Sequence, residues 1–153
     1  MQLHLFTVAR RPPAWAEAAC ADYLKRLGHA LDLRPREFAP KSGASATQQR
    51  EREAEMLLRA VPAGARLIAL DEHGDAWTTA DLAARLQRWR DDAEDVVFAI
   101  GGAEGHGPAL RAAAHAEWSL SRLTLPHALA KVVVVEQLYR AWSLLNNHPY
   151  HRA

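Results

Sequence analysis

Three short stretches hold residues able to grip a ligand or move a proton: GGAEGHG at 101–107, SRLTLPH at 121–127 and the ending NNHPYHRA. The first is rich in glycine but lacks the Lys-Ser/Thr pair of a phosphate-binding loop. Its glycines at 101, 102, 105 and 107 also miss the G-x-G-x-x-G spacing of dinucleotide sites. A tight turn into the next helix is its plain alternative. A glycine pair does permit close backbone approach to a flat ligand, and the missing phosphate grip favours one held by base and ribose. In the second stretch, Leu123 and Leu125 flank Thr124 in a loop closed by Pro126. Aliphatic walls with main-chain donors and acceptors suit an adenine ring. His127 follows directly and stands beside whatever that loop binds.

The ending carries two histidines, a tyrosine and an arginine, where chain ends are usually bland. His148 and His151 form an H-x-x-H, but Pro149 denies regular helix geometry and no cysteine or carboxylate stands nearby to complete a zinc site. No metal is expected. The other histidines, His4, His29, His73, His106 and His115, read as surface or core residues. No G-x-S-x-G occurs, so a hydrolase triad has little support.

These stretches need a frame. At 153 residues with 49% hydrophobic and 24% charged residues, the chain fits one soluble domain. Its net charge of +1 makes no bulk case for a nucleic-acid partner, so RNA contact would need a local basic cluster. The lone Cys20 excludes an internal disulfide and sits in an amphipathic pattern as a small buried hydrophobe. MQLHLFTVARR has its charges after its apolar residues, unlike a secretory signal. No apolar run reaches the ~20 residues that span a bilayer. A cytoplasmic location with no membrane contact is expected.

Strand and helix patterns alternate. LHLFTVA, ARLIALD and DVVFAIGG read as buried strands, EWSLS as a short one, and LDLRPREFA as an edge strand because of Pro35. Helices are expected from Ala14 to Leu27, over QQREREAEMLLRAV, over TADLAARLQRWRDD after a Thr78 or Thr79 cap, over GPALRAAAHA, and from Ala128 to Asn146. KSGASATQ reads as a mobile loop and Gly74 as a turn after its strand. The spacing predicts one α/β domain, residues 1–153, with a mostly parallel sheet covered by helices on both faces.

The last helix is apolar on two faces, Val132, Val135, Tyr139, Trp142 and Val134, Leu138, Ala141, Leu145, with Glu136 and Arg140 placed as an i,i+4 pair. Such a helix lies deep in a core or in a subunit interface, and the interface reading is favoured.

FAIGGAEG, SLSRLTLPH and VVVEQLYRAWSLLNNHPYHR, in that order, closely resemble the RlmH family of small ribosomal RNA methyltransferases, within the SPOUT superfamily. The likeness runs over the whole chain and is most specific in the final forty residues. It implies a C-terminal trefoil knot and S-adenosyl-L-methionine as methyl donor. Carried over, the cofactor contacts fall on Leu70, Gly102, Ser121, Arg122, Leu123, Thr124, Leu125 and Pro126. It also implies a homodimer that methylates N3 of pseudouridine 1915 in helix 69 of 23S rRNA, in the assembled ribosome.

Loss of the N3 proton calls for a general base, with His127 and His151 the candidates. Arg140 and Arg152 are placed to hold phosphate or the deprotonated base, and Tyr150 to stack. Lys131 stands where relatives often have arginine, and KSGASATQQ is less basic than in some relatives. The competing readings are a non-catalytic ribosome-binding module of the same fold and a transfer-RNA methyltransferase.

Overall fold

The computed structural model describes residues 1–152. Five strands alternate with five helices: β1 (Leu3–Val8), α1 (Ala14–Leu27), β2 (Leu33–Phe38), α2 (Ala46–Ala60), β3 (Arg66–Ala76), α3 (Thr79–Asp91), β4 (Val96–Ile100), α4 (Pro108–Ala113), β5 (Ala116–Ser119) and α5 (His127–Leu145). A 3-10 turn over Pro149–Arg152 follows. The strands form one sheet in the order β2-β1-β4-β3-β5, with every pair parallel. β2, which carries Pro35, lies at an edge, where a missing N–H costs no ladder bond.

Successive side chains on a strand face opposite ways, and this sorts the core into two halves. Leu3, Leu5, Val96, Phe98 and Ile100 face α1, α3 and α5, whose Leu27, Leu86 and Leu138 bury against them. Phe6, Val8, Val97 and Ala99 face α2 and α4, where Leu57 and Leu110 close the other side. Helices therefore cover both faces.

Two helix starts follow from local chemistry. Thr78 and Asp81 form a reciprocal capping box on α3, and Ser45 accepts from the Gln48 N–H on α2. The segment read as a mobile loop is tied to α2. The Lys41 N–H reaches Glu53 Oε2 at 3.1 Å, the Ala44 N–H reaches Gln48 Oε1 at 2.6 Å, and Arg52 donates to the Ser42 carbonyl at 2.7 Å.

Gly74 corrects the sequence reading. It lies inside β3, in an irregularity between Leu70 and Asp75 that bulges out of the ladder and re-enters it beside β5. A methyl group on Gly74 would lie 2.6 Å from the Glu117 carbonyl, so only glycine permits this approach. The polar run DEHG hid the strand's continuation.

α5 is wedged between α1 and α3, and much of both its apolar faces is used within the chain. Val134, Val135, Leu138, Tyr139 and Ala141 are buried, whereas Val132, Trp142 and Leu145 are only partly covered. The valines are compatible with helix because tertiary burial outweighs their weak propensity. Cys20 is buried as expected, and desolvation raises its thiol pKa.

Candidate active site

The carboxyl ends of β4, β3 and β5 open into one cleft, the place where parallel α/β sheets bind ligands. It encloses about 710 Å³ and is lined by Leu70–His73 at the irregularity within β3, Ile100–His106 with Arg111 from the end of β4 onward, and Trp118, Leu120, Ser121 and Leu123–His127 from the end of β5 onward. All three strand ends singled out in the sequence meet here. Leu70, Gly102, Ser121, Leu123, Thr124, Leu125 and Pro126 line it, as does His127 at the first turn of α5. Arg122 is exposed and is not among the lining residues.

The loop that brings these residues in is held by its own polar side chains. Ser119 Oγ donates to the Ser121 carbonyl at 2.9 Å, and the Leu123 N–H donates to Ser121 Oγ at 2.9 Å. That N–H is therefore not free for a ligand. Thr124 Oγ1 donates to Glu72 Oε2 at 2.6 Å, tying the loop to the far wall. The two leucines differ: Leu123 is 73% exposed, whereas Leu125 packs against the main core.

The glycine segment makes a tight reversal, with Gly105 at φ +75° and its N–H donating to the Gly102 carbonyl at 3.0 Å. A methyl group on Gly102 would lie 3.1 Å from Glu53 Oε1 and 3.2 Å from Val8 Cγ1. Its missing side chain thus makes room for the protein itself, and the chain's own packing explains the glycine. Below it, His106 is buried and its ring Nε2 meets the Ala99 carbonyl at 2.9 Å. Burial holds its pKa below the ordinary imidazole value, so it serves as a neutral structural bridge.

Sequence reasoning missed the charges of the cleft. Asp71, Glu72 and Glu104 line it against one guanidinium, Arg111, which is already paired with Asp71 at 2.5 Å. IALDEHG carried that signal, since acids directly after a buried strand fall at the ligand end of the sheet. Trp118 and Leu120 add apolar wall.

The tail lies elsewhere in the same chain. Tyr150 packs on Tyr139 with ring centroids 4.5 Å apart, and its hydroxyl lies 3.0 Å from Glu136 Oε1 and 3.1 Å from the Tyr23 hydroxyl. Burial first, then these bonds, raise its pKa, so the phenol keeps its proton. Arg140 binds Glu136 through two nitrogens and lies over the Tyr150 ring at 4.8 Å. His148 stands 5.4 Å from Trp142, centroid to centroid. His151 is half-buried with Nδ1 unpartnered, and Arg152 is exposed. None of Arg140, Tyr150, His151 and Arg152 lines the cleft of its own subunit. Of the proposed catalytic residues, only His127 does. Among the described residues no group of three or more His, Cys, Asp or Glu could hold a metal, and no helix is long and apolar enough to cross a membrane.

An all-parallel sheet covered on both faces, with one large cleft at its carboxyl edge, defines a ligand-binding α/β domain. The comparisons narrow that class. The family model described as predicted SPOUT methyltransferase matches residues 1–151. Two curated relatives named ribosomal RNA large subunit methyltransferase H align over 156 positions and the whole of both chains. They come from Burkholderia vietnamiensis (strain G4 / LMG 22486), 43% identical, and Bordetella petrii (strain ATCC BAA-461 / DSM 12804 / CCUG 43448), 46% identical. The chain belongs to the SPOUT methyltransferase family, and it is a methyltransferase.

Proposed function

We propose that this protein uses S-adenosyl-L-methionine to methylate ribosomal RNA, at N3 of pseudouridine 1915 in helix 69 of 23S rRNA within the assembled cytoplasmic ribosome. The names of the two relatives support the rRNA substrate, and the finer target rests on the resemblance of the chain's last forty residues. The observation that carries the choice of donor is the cleft itself. Its size is in the range of small-molecule sites, its apolar walls suit an adenine ring, and its three carboxylates against one paired arginine favour a cationic ligand over a phosphorylated one. Leu70, Gly102, Ser121, Leu123, Thr124, Leu125 and Pro126 would hold the donor, with Arg122 at the rim. When bound, the donor supplies an activated methyl group on a sulfonium.

The protein's task is then alignment and proton removal. The loop's internal hydrogen bonds keep Leu125 and the main chain in place without help from the ligand. His127, at the mouth, is one candidate acceptor for the N3 proton. His151 is the other, and it comes from the partner subunit of a homodimer together with Tyr150 and Arg152. The half-covered strip of α5, with Val132, Trp142 and Leu145, supports such pairing, and so does a tail folded along α5 away from its own cleft. In this arrangement Arg140 acts by holding Tyr150 in position. The family's trefoil knot belongs to the same reading.

The test is mass mapping of helix 69 in unmethylated ribosomes incubated with this protein and the donor. One added methyl group on the pseudouridine is expected. A methyl group found only on transfer RNA, or on no RNA, would overturn the assignment.

A further inference from the structure

The proposed reaction leaves open which surface receives the RNA around its target, and the structure's charges answer that. The inference rests on the methyltransfer reading of ribosomal RNA. Among the described residues, seven of the nineteen lysines and arginines form ion pairs, such as Arg66 with Glu94 and Arg111 with Asp71. Arg10, Arg11, Lys41, Arg50 and Arg52 form none. All but half-exposed Arg50 are exposed.

The fold gathers these five from three segments. β1 and β2 leave the sheet side by side, with the Ala9 N–H donating to the Phe38 carbonyl at 3.0 Å, so Arg10, Arg11 and Lys41 follow neighbouring strand ends. The start of α2 is fastened there through Glu53 to the Lys41 N–H and through Arg52 to the Ser42 carbonyl. The same turn of α2 backs the glycine loop of the cleft, since a methyl group on Gly107 would lie 2.9 Å from the Arg50 carbonyl oxygen. The cations therefore border one wall of the cleft, while Asp71 and Glu72 stand on the other. The exposed acids nearby are Glu17, Glu51 and Glu104; Glu53 is buried, and Glu55 is paired with Arg59.

Trp15 supplies the second observation. It is 54% exposed, at the start of α1 and four residues after Arg11. Neither the core nor the cleft uses it. A flat, exposed indole a few residues along the chain from the unpaired Arg10 and Arg11 has the make-up of a nucleic-acid platform, with phosphates held by charge and a base stacked on the ring. An acidic protein partner would want a wider apolar centre than one isolated tryptophan.

We propose that Arg10, Arg11, Lys41, Arg50, Arg52 and Trp15 form the surface that binds the RNA backbone and one unpaired base flanking the methylated nucleotide. The surface positions the strand through phosphate oxygens and one base face, contacts that carry no sequence information.

The experiment measures binding of the full-length protein to assembled ribosomes across a salt series, with ultraviolet cross-linking of the wild-type complex. Arg10→Gln with Arg11→Gln lowers the slope of log affinity against log salt by about 1.5 to 2. Trp15→Ala weakens binding about tenfold and leaves that slope unchanged. The charge-matched control, Arg88→Gln with Arg90→Gln on α3, behaves as wild type, and donor affinity is the same in all four proteins. A nucleotide adduct appears on the peptide containing Trp15. Variants that bind like the control, or an adduct to a ribosomal protein in place of RNA, would overturn the surface. Methyl transfer by the wild type is scored separately. Its absence with the binding pattern intact defeats the reaction and leaves the surface standing.

Discussion

Removing Tyr150 to Ala153 lowers methyl transfer to ribosomes by about 10²–10⁴-fold, the range expected when a general base and its neighbours are lost. Donor affinity, read by calorimetry, stays within about twofold, because none of Tyr150, His151 and Arg152 lines the cleft of its own chain. The deletion also strips the Tyr150 ring from Tyr139 and its hydroxyl from Glu136 and Tyr23. A gentler variant, His151→Asn with Arg152→Gln, therefore accompanies it: the ring packing remains while the candidate base and the exposed guanidinium are gone. Wild-type turnover in the gentler variant would remove the tail's chemical role and leave it a packing element.

Leu125→Asp has the second large effect, a loss of donor affinity of about 100-fold or more, since it sets a carboxylate in a half-buried apolar wall that is also part of the core surface. Leu123→Asp costs only about tenfold. The side chain at 123 is mostly in water, so little apolar area leaves it on binding, and a charge there stays hydrated. Sequence makes these two leucines look equivalent, and exposure separates them. Equal losses at both positions, or none at 125, would show that the loop is not the adenine wall.

What could be read in advance followed short-range rules. Buried apolar runs in the central strands and the apolar spacing of the helices implied the layered sheet, and Pro35 placed β2 at an edge. The three loops after IAL, FAIGG and WSLS converge because the carboxyl ends of parallel strands lie together. What resisted reading depends on contacts between distant residues. Tyr150 meets Tyr23 across 127 positions, and nothing local to NHPYHR reveals that the tail is fastened to α1 and α5. Gly102 lines the cleft, and the reason for the glycine is hidden in sequence: Glu53 and Val8 occupy the space a side chain would need. β3 ran on past Gly74 because β5 re-pairs with it, a partner invisible from DEHG. The basic surface was hidden for the same reason: ARRPP, PK and RER are unremarkable until β1, β2 and α2 bring them together.

The central claim is that each working site joins the cleft of one subunit to the tail of its partner. Mixing the tail-deleted protein with the Leu125→Asp protein, each inactive alone, tests it. With dimers confirmed by a light-scattering mass near twice 17.0 kDa, random exchange makes half of them mixed, each with one intact cleft facing one intact tail. Methyl transfer then returns to about one quarter of the wild-type rate. A mixture of such dimers that stays inactive would contradict the shared site.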